Sequence, residues 1–394
     1  MKKTICFVVT SRASFARVRT AIQACHDSEK ITPLVVLAGS CVHDRYGDVR
    51  QECSDLGIHI HFECPTLVVG ENPYSMAKTT AGIINDLAVV FQHLAIDGVV
   101  VVADRYETLA VSIAARYLNI PLIHIQGGEL TGSIDDSVRW ANTALASLHF
   151  VANDNAADRL FCSGQNPDTI YVTGCPAIDI AREHAYDDLG NTLMANPGSG
   201  IGAEIEAVSG EYAVVIFHPD TSDYGAGLDH GVSLSAERQM IEVLEAVAVI
   251  DRPTVLLWPN VDAGADGISK AIRKWINLSM NRTPIRVYKN FSSSDYIRLI
   301  NHAGICIGNS SSFIREGAYL GVPAVVVGTR QSNRDHAANV HFVNCQHVEI
   351  TDKAKEIFGK KLERSNLYGD GYAGKRIADV LETAELTVRK TLVL

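Results

Sequence analysis

Residues 98–129 read GVVVVADRYETLAVSIAARYLNIPLIHIQGGE. Two short apolar runs stand in this stretch, at 98–102 and 121–125, and each ends in a polar, acidic loop. Unbroken β-branched runs of this length suit strands covered on both faces, as in a parallel sheet. Similar runs lie at 4–10, 33–38, 212–217, 254–258, 305–307 and 324–327. Helical patterns fall between them. Over 75–94, Met76, Ile83, Leu87, Val90, Phe91 and Leu94 lie near one face; over 236–249, Met240, Val243, Leu244 and Val247 do the same. Alternating βαβ units predict a doubly wound α/β architecture. The pattern weakens between 187 and 210, a stretch rich in Gly, Asn, Pro and Ser, which marks a domain boundary. The expected division is 1–186 and 187–372, with a terminal helix at about 373–394 that packs back on the first domain. Two such domains leave a cleft where the carboxyl ends of both sheets meet, the place where open α/β sheets bind ligands.

Composition narrows the function. The 394 residues carry 35 basic and 45 acidic side chains, a formal charge of −10. That balance argues against a general nucleic-acid binder but permits a basic pocket for a small anion. No apolar stretch approaches the roughly 18 residues of a membrane span. The run at 5–9 is too short for an export signal, and Arg12 follows it at once. The nine cysteines form no CxxC pair, which suits reduced thiols in a cytoplasm. A GxGxxG after the first strand, a GxxxxGK[ST] loop, an HExxH helix and a GxSxG elbow are all missing. Neither a dinucleotide cofactor nor a metal is expected.

The polar clusters all fall at strand ends. Arg12 opens a helix after the first strand, where a guanidinium and free N–H groups can grip a phosphate. Ser310 and Ser311 follow a Gly-Asn turn, with Glu316 one turn further on; three consecutive serines exceed what a helix cap needs. His218 and the pair Asn260 and Asp262 end strands in the second half. The densest cluster is in the first half: Asp104, Arg105 and Glu107, then Gln126 and Glu129, then Asp135, Asp136 and Arg139. Carboxylates gathered in one cleft repel each other and lose water. Their pKa values spread apart, as acid–base chemistry needs.

At these residues the chain resembles a known family. DRYE (104–107), IHIQGGELTGSIDDSVR (123–139), VTGCPAID (172–179), WPNVDAG (258–264), IGNSSSFIRE (307–316), GTRQ (328–331) and YGDG (368–371) are similar to the hydrolysing UDP-N-acetylglucosamine 2-epimerases of sialic acid synthesis. They also resemble the epimerase half of the animal bifunctional enzyme. The resemblance runs from Arg12 to about residue 371 and implies two Rossmann-like domains of the GT-B type. It implies a UDP-sugar substrate, no cofactor, and a homodimer or homotetramer. UDP leaves by elimination, 2-acetamidoglucal forms, and water adds to give N-acetylmannosamine. By resemblance Asp104 and Asp135 are the acid–base residues. Arg12, His218, Ser310 and Ser311 hold the diphosphate, and Asn260 touches UDP. Glu316 takes the ribose, Arg330 the sugar or phosphate, and Phe291 the uracil. Arg105, Asp136, Arg139 and Asp262 complete the binding set.

Several positions depart from the family pattern. Gln126 stands where many relatives carry a catalytic glutamate, so that role is dispensable or passes to Glu129. Ala103 and Phe313 replace glycines, Cys41 and Trp140 replace histidines, and Ser14 replaces an acid. Gln126, Cys41, Ser14 and Trp140 near the sugar would signal a changed substrate, such as the UDP-2,4-diacetamido-trideoxy sugar of the legionaminic acid pathway. A GT-B glycosyltransferase and an inactive UDP-sugar binder are the competing classes.

Overall fold

Side-chain alternation inside the apolar runs builds two cores per sheet. The computed structural model describes residues 2–190, 192, 200–221, 235–279 and 284–393. Its first seven strands are β1 (Lys3–Val9), β2 (Ile31–Ala38), β3 (Phe62–Cys64), β4 (Gly98–Val102), β5 (Leu122–Ile125), β6 (Leu148–Val151) and β7 (Ile170–Val172). The next seven are β8 (Ile201–Gly202), β9 (Ala213–Ile216), β10 (Thr254–Leu257), β11 (Ile285–Tyr288), β12 (Ile305–Gly308), β13 (Ala324–Val327) and β14 (Val340–Val343). Ile5, Phe7 and Val9 of β1 enter one core while Cys6 and Val8 enter the other. On β9, Val214 and Ile216 face one way and Ala213 and Val215 the other. Period-two alternation with both faces apolar forces helices onto both sides of each sheet.

The strand order is β3-β2-β1-β4-β5-β6-β7 in the first sheet and β14-β13-β12-β9-β10-β11-β8 in the second. The ladders are parallel, apart from short β8 running antiparallel to β11. Each order reverses once, between β1 and β4 and between β9 and β12. Both sheets are therefore doubly wound α/β of the Rossmann type, and each has a crevice at its reversal point. Part of the 187–210 stretch (191 and 193–199) lies outside the described residues. Among the described residues, no helix is long and apolar enough to cross a membrane.

The chain end returns to the first sheet. Helix Ala373–Thr383 packs on helix Arg19–Asp27. Buried Asp179 accepts the N–H groups of Ala373 (2.8 Å) and Gly374 (2.7 Å) and the Thr20 hydroxyl (2.8 Å), so one carboxylate fixes the helix start. The carboxylate also meets the positive end of that helix.

Two histidines lie side by side inside the first sheet, His124 on β5 and His149 on β6. Burial lowers His124 to about 4 and His149 well below its ordinary value. Both are neutral when folded and charge freely when unfolded. Their contribution to stability is therefore complete above about pH 6.5 and shrinks as pH falls. The variant His149→Gln removes one such group. Its unfolding free energy, followed by denaturant titration between about pH 6.5 and 4.5, falls less steeply than wild type by about 1.4 kcal/mol per pH unit.

Candidate active site

The four strands that flank the two reversal points each end in a polar turn, and the turns face one another. After β1, Ser11 caps the short helix Arg12–Ala16. Its Oγ accepts the Ser14 N–H (3.2 Å), and Ser14 Oγ accepts the Ser11 N–H (2.8 Å). This places Arg12 at the first helical position, lining the cleft. Its Nη1 is buried without a hydrogen-bond partner. Burial holds the guanidinium below its usual value, with Tyr296 and Glu52 partly offsetting. A buried, unpaired cationic nitrogen is a strong anion site.

Across the cleft, β9 and β12 approach closely. Gly308 has φ +136°, and a Cβ there would fall 1.9 Å from the Ile216 carbonyl oxygen. Only glycine permits this contact. Asn309 then ties the two turns together: its Oδ1 accepts the His218 N–H (2.7 Å), and its Nδ2 donates to the His218 carbonyl (2.8 Å). The His218 ring Nδ1 accepts the Asn260 N–H (3.3 Å), so the neutral ring carries its proton on Nε2. Burial, helped by the Arg330 charge, lowers His218 to about 3. It is a neutral donor throughout the physiological range. Ser310 caps the next turn, and Tyr296 OH lies 2.5 Å from Ser312 Oγ.

Asp104 and Asp135 line the opposite wall. Asp104 follows β4 and pairs with Arg139, and Arg17 Nη1 is 4.0 Å from its other oxygen. Asp135 starts helix Asp135–Leu145 and meets Arg330 of the second sheet at 3.2 Å. Burial raises the Asp135 carboxyl above its ordinary value, against the pull of Arg330. Arg105 bridges Glu107 (3.1 Å) and Asp262 (3.0 Å). Burial pushes Asp262 up, but Arg105 and Arg330 outweigh it and hold the group low. Glu316 lines the cleft with Oε2 buried and unpaired, and burial raises it.

The cleft wall holds Arg12, Asp104, Arg105, Asp135, His218, Asn260, Asp262, Phe291, Ser310, Ser311, Glu316 and Arg330. Four residues that the sequence reading grouped with them stand behind it. Asp136 accepts the N–H groups of Thr131 (2.9 Å) and Gly132 (3.0 Å) and the Arg139 guanidinium (2.5 Å). It closes the loop before Asp135. Arg139 is fully buried, donating to the Glu129 carbonyl (2.8 Å) and holding Asp104. Gln126 is buried with its Nε2 on Cys175 Sγ (2.7 Å). Glu129 is locked between Arg315 (2.6 Å) and Arg334. Burial would raise it, yet these two cations hold it below its ordinary value. Locked in this way, Glu129 is a poor base to stand in for the missing glutamate.

The other departures also miss the cleft wall. Ser14 completes the Ser11 cap, and Cys41 is buried with its thiol on the Val9 (3.0 Å) and Ala38 (3.1 Å) carbonyls. Trp140 packs against the cluster around Leu160, and Phe313 is core. The expectation that Gln126, Cys41, Ser14 and Trp140 reach the sugar is corrected: none of them lines the cleft, and the Cys175 thiol, backbone carbonyls, the Ser11 cap and apolar packing retain them in turn. The structure adds Arg17, which the sequence reading passed over. It lines the cleft and donates to Ser311 Oγ (2.9 Å) across it. Burial and the Arg315 charge lower Arg17 to about 9. The readable signal was a second arginine just past the helix that Arg12 opens.

Two facing Rossmann-type sheets, with a polar cleft at the turns between them, define the GT-B type of fold. The sequence profile described as UDP-N-acetylglucosamine 2-epimerase matches residues 23–382. The chain belongs to this family and is a UDP-sugar 2-epimerase. It is 28% identical over 390 residues (98% of this chain, 97% of the relative) to UDP-N,N'-diacetylbacillosamine 2-epimerase (hydrolyzing) of Legionella pneumophila. It is 24% identical over 98% of its length to UDP-N-acetylglucosamine 2-epimerase of Neisseria meningitidis, 96% of which is covered. The solved structure of a Neisseria meningitidis UDP-GlcNAc 2-epimerase bound to UDP-GlcNAc superposes with a TM-score of 0.77 at 20% identity, covering 98% of this chain and all of that one. That likeness fixes the fold.

Three outcomes follow from the geometry. His218→Ala weakens UDP binding about tenfold by calorimetry, through loss of one buried donor. The ratio of wild-type to variant affinity for a non-hydrolysed UDP-sugar analogue stays level from about pH 5.5 to 7.5, because the His218 ring does not titrate there. Glu129→Gln leaves Arg315 and Arg334 short of a countercharge and lowers stability by about 3 kcal/mol in urea unfolding.

Proposed function

We propose that the protein is a hydrolysing 2-epimerase of a UDP-linked 2,4-diacetamido-trideoxy sugar. The observation that carries the reading is one cleft lined by two kinds of group. Arg12 with an unpaired nitrogen, His218 as a neutral donor and the Ser310–Ser311 turn suit a diphosphate. Asp104 and Asp135 suit acid–base chemistry on a sugar. In this reading UDP departs first, because the C2 proton of the sugar is too weak an acid until C1 becomes cationic. Arg12 and His218 take up the charge that develops on the leaving diphosphate. One carboxylate removes the C2 proton, giving the glycal. Water then adds its oxygen to C1, and C2 is reprotonated on the opposite face by the other carboxylate. The products are UDP and the free 2-epimer. Glu316 holds the ribose and Phe291 flanks the uracil.

Two observations support the diacetamido sugar. The Legionella relative named for that substrate spans nearly the full length of both chains. Part of the cleft lining is apolar, with Ala13, Ala16 and Met76. That suits a C6 methyl and a second acetamido methyl better than hydroxyls. A homo-oligomer in the cytoplasm, with the domain boundary near residue 187, belongs to the same reading.

The test is an NMR time course in deuterated water with each UDP-sugar in turn. The expected result is free 2-epimer deuterated at C2, plus UDP, formed faster from the diacetamido substrate. Turnover of UDP-N-acetylglucosamine at an equal or higher kcat/KM would reverse the substrate assignment. Release of UDP-linked product would reject hydrolysis. Asp104→Asn should lower kcat by at least about 100-fold with UDP affinity nearly intact.

A further inference from the structure

Residues 385–393 do not line the cleft, yet Lys390 among them grips the helix that carries Asp135. That helix, Asp135–Leu145, is 11 residues long, a rod of about 16 Å. Asp135 is at its start. At its other end the carbonyls of the last turn have no N–H within the helix to satisfy them. Lys390 supplies what is missing. Its Nζ donates to the carbonyls of Thr143 (2.6 Å), Ala144 (3.0 Å) and Ala146 (2.7 Å). All three protons of an ammonium are used, and its charge meets the negative end of the helix.

The segment bearing Lys390 is itself fastened to the first domain. Ser147 Oγ donates to the Thr387 carbonyl (2.7 Å) and Arg116 Nη1 to the Val388 carbonyl (2.8 Å). The Val393 N–H donates to the Gly164 carbonyl (2.9 Å). The helix is thus held at both ends by different means: by Arg139 on Asp104 near its start, and by the terminal strap at its finish. If the far end is released, a rod of this length tilts, and the carboxylate at its tip moves relative to the sugar.

We propose that Lys390 is a positioning residue for the reaction: through the helix Asp135–Leu145 it sets the place of the Asp135 carboxylate. This rests on the proposed acid–base role of Asp135. Among the described residues, the groups that act on Lys390 or feel its charge are basic or neutral when folded. Arg116 lies on the helix Tyr106–Tyr117, and His124 and His149 on β5 and β6 are close enough to feel its charge. Burial, with the Arg116 charge, brings the Lys390 ammonium down to about 8. The strap is fully charged below that pH and loses its charge as pH rises through it.

The experiment compares full-length wild type, Lys390→Met and Lys390→Arg. It measures kcat and KM against pH, and UDP affinity by calorimetry. Wild type should show an alkaline fall in kcat centred near pH 8. Lys390→Arg, which keeps its charge, should retain kcat within about twofold and move that fall upward. Lys390→Met should lose about tenfold in kcat at neutral pH, with KM and UDP affinity little changed, as expected of a misplaced reacting group. A second measurement needs no turnover: the Asp135 carboxyl titration followed by carbon-13 NMR, assigned with Asp135→Asn. It should shift in Lys390→Met and return in Lys390→Arg. If the carboxyl titration and kcat of Lys390→Met match wild type, the proposal is overturned. So it is if kcat and UDP affinity fall together and arginine fails to restore them, which marks a purely structural strap. Full activity of Asp135→Asn would instead overturn the acid–base role, and an unshifted carboxyl titration would separate the two failures.

Discussion

The cleft depends on Glu129. This carboxylate belongs to the first domain, and both of its partners, Arg315 and Arg334, belong to the second. All three side chains are almost wholly buried. Removing such charges from water costs several kcal/mol per ion, and only close pairing offsets it. The triad therefore contributes little net stability, but a broken one would be severely penalised. It acts as a register pin that lets the two sheets meet in one relation. Arg159 on Asp335 (2.8 Å) and Arg17 on Ser311 cross the same boundary and reinforce it.

Other pairs across the cleft have a different character. Asp135 with Arg330, and Arg105 with Asp262, lie on the wall itself, where a substrate would lie. A diphosphate offers Arg330 a stronger, bidentate partner than one carboxylate. Asp135 would then lose the cation that restrains its pKa while remaining desolvated. A carboxyl in that state sits closer to neutrality, which suits proton transfer. In the proposed reading, Arg330 pairs with Asp135 until a diphosphate takes the cation from it. Glu129 is not released in this way: Arg334 reaches the cleft, but Arg315 is outside its lining and keeps the carboxylate paired.

Much of the fold was legible because the central strands are simple. β1, β2, β4, β5, β9, β10, β12 and β13 are buried apolar runs, and the sequence reading located each within a residue or two. The two-residue β8 escaped it, and so did β3, β6, β7, β11 and β14. Their sequences, FEC, LHFV, IYV, IRVY and VHFV, mix histidine, charge and aromatics into very short runs. Four of them lie toward sheet edges with partly exposed faces. The site was legible where a residue both ends a strand and faces the cleft, as with Arg12, Asp104, His218 and Ser310. It was misread where a polar residue turns inward, because spacing cannot distinguish a carboxylate on the wall from one behind it. Asp135 and Asp136 are adjacent in the chain, yet one lines the cleft and the other closes a loop.

Gln126 and Ala103 show why the departures from the family pattern belong to the backbone as much as to chemistry. Both residues have positive φ, +67° and +61°. Such a conformation costs an L-residue about 1 kcal/mol. They follow neighbouring strands, β5 and β4. The Ala103 N–H donates to the Ile125 carbonyl (2.9 Å) and the Gln126 N–H to the Phe150 carbonyl (2.8 Å). Each strand therefore ends with the same left-handed step, which extends the ladder by one bond and then turns the chain into its loop. The Ala103 carbonyl left by that step accepts from His124 Nε2 (3.0 Å) and Asn142 Nδ2 (3.3 Å). Asn142 is on the helix that Asp135 begins. The strain at Ala103 is thus coupled to the placement of both acids: Asp104 is the next residue, and the helix bearing Asp135 is hydrogen-bonded to the strained peptide. Strained backbone persists where surrounding contacts over-determine it, and here those contacts are the ones that aim the two carboxylates.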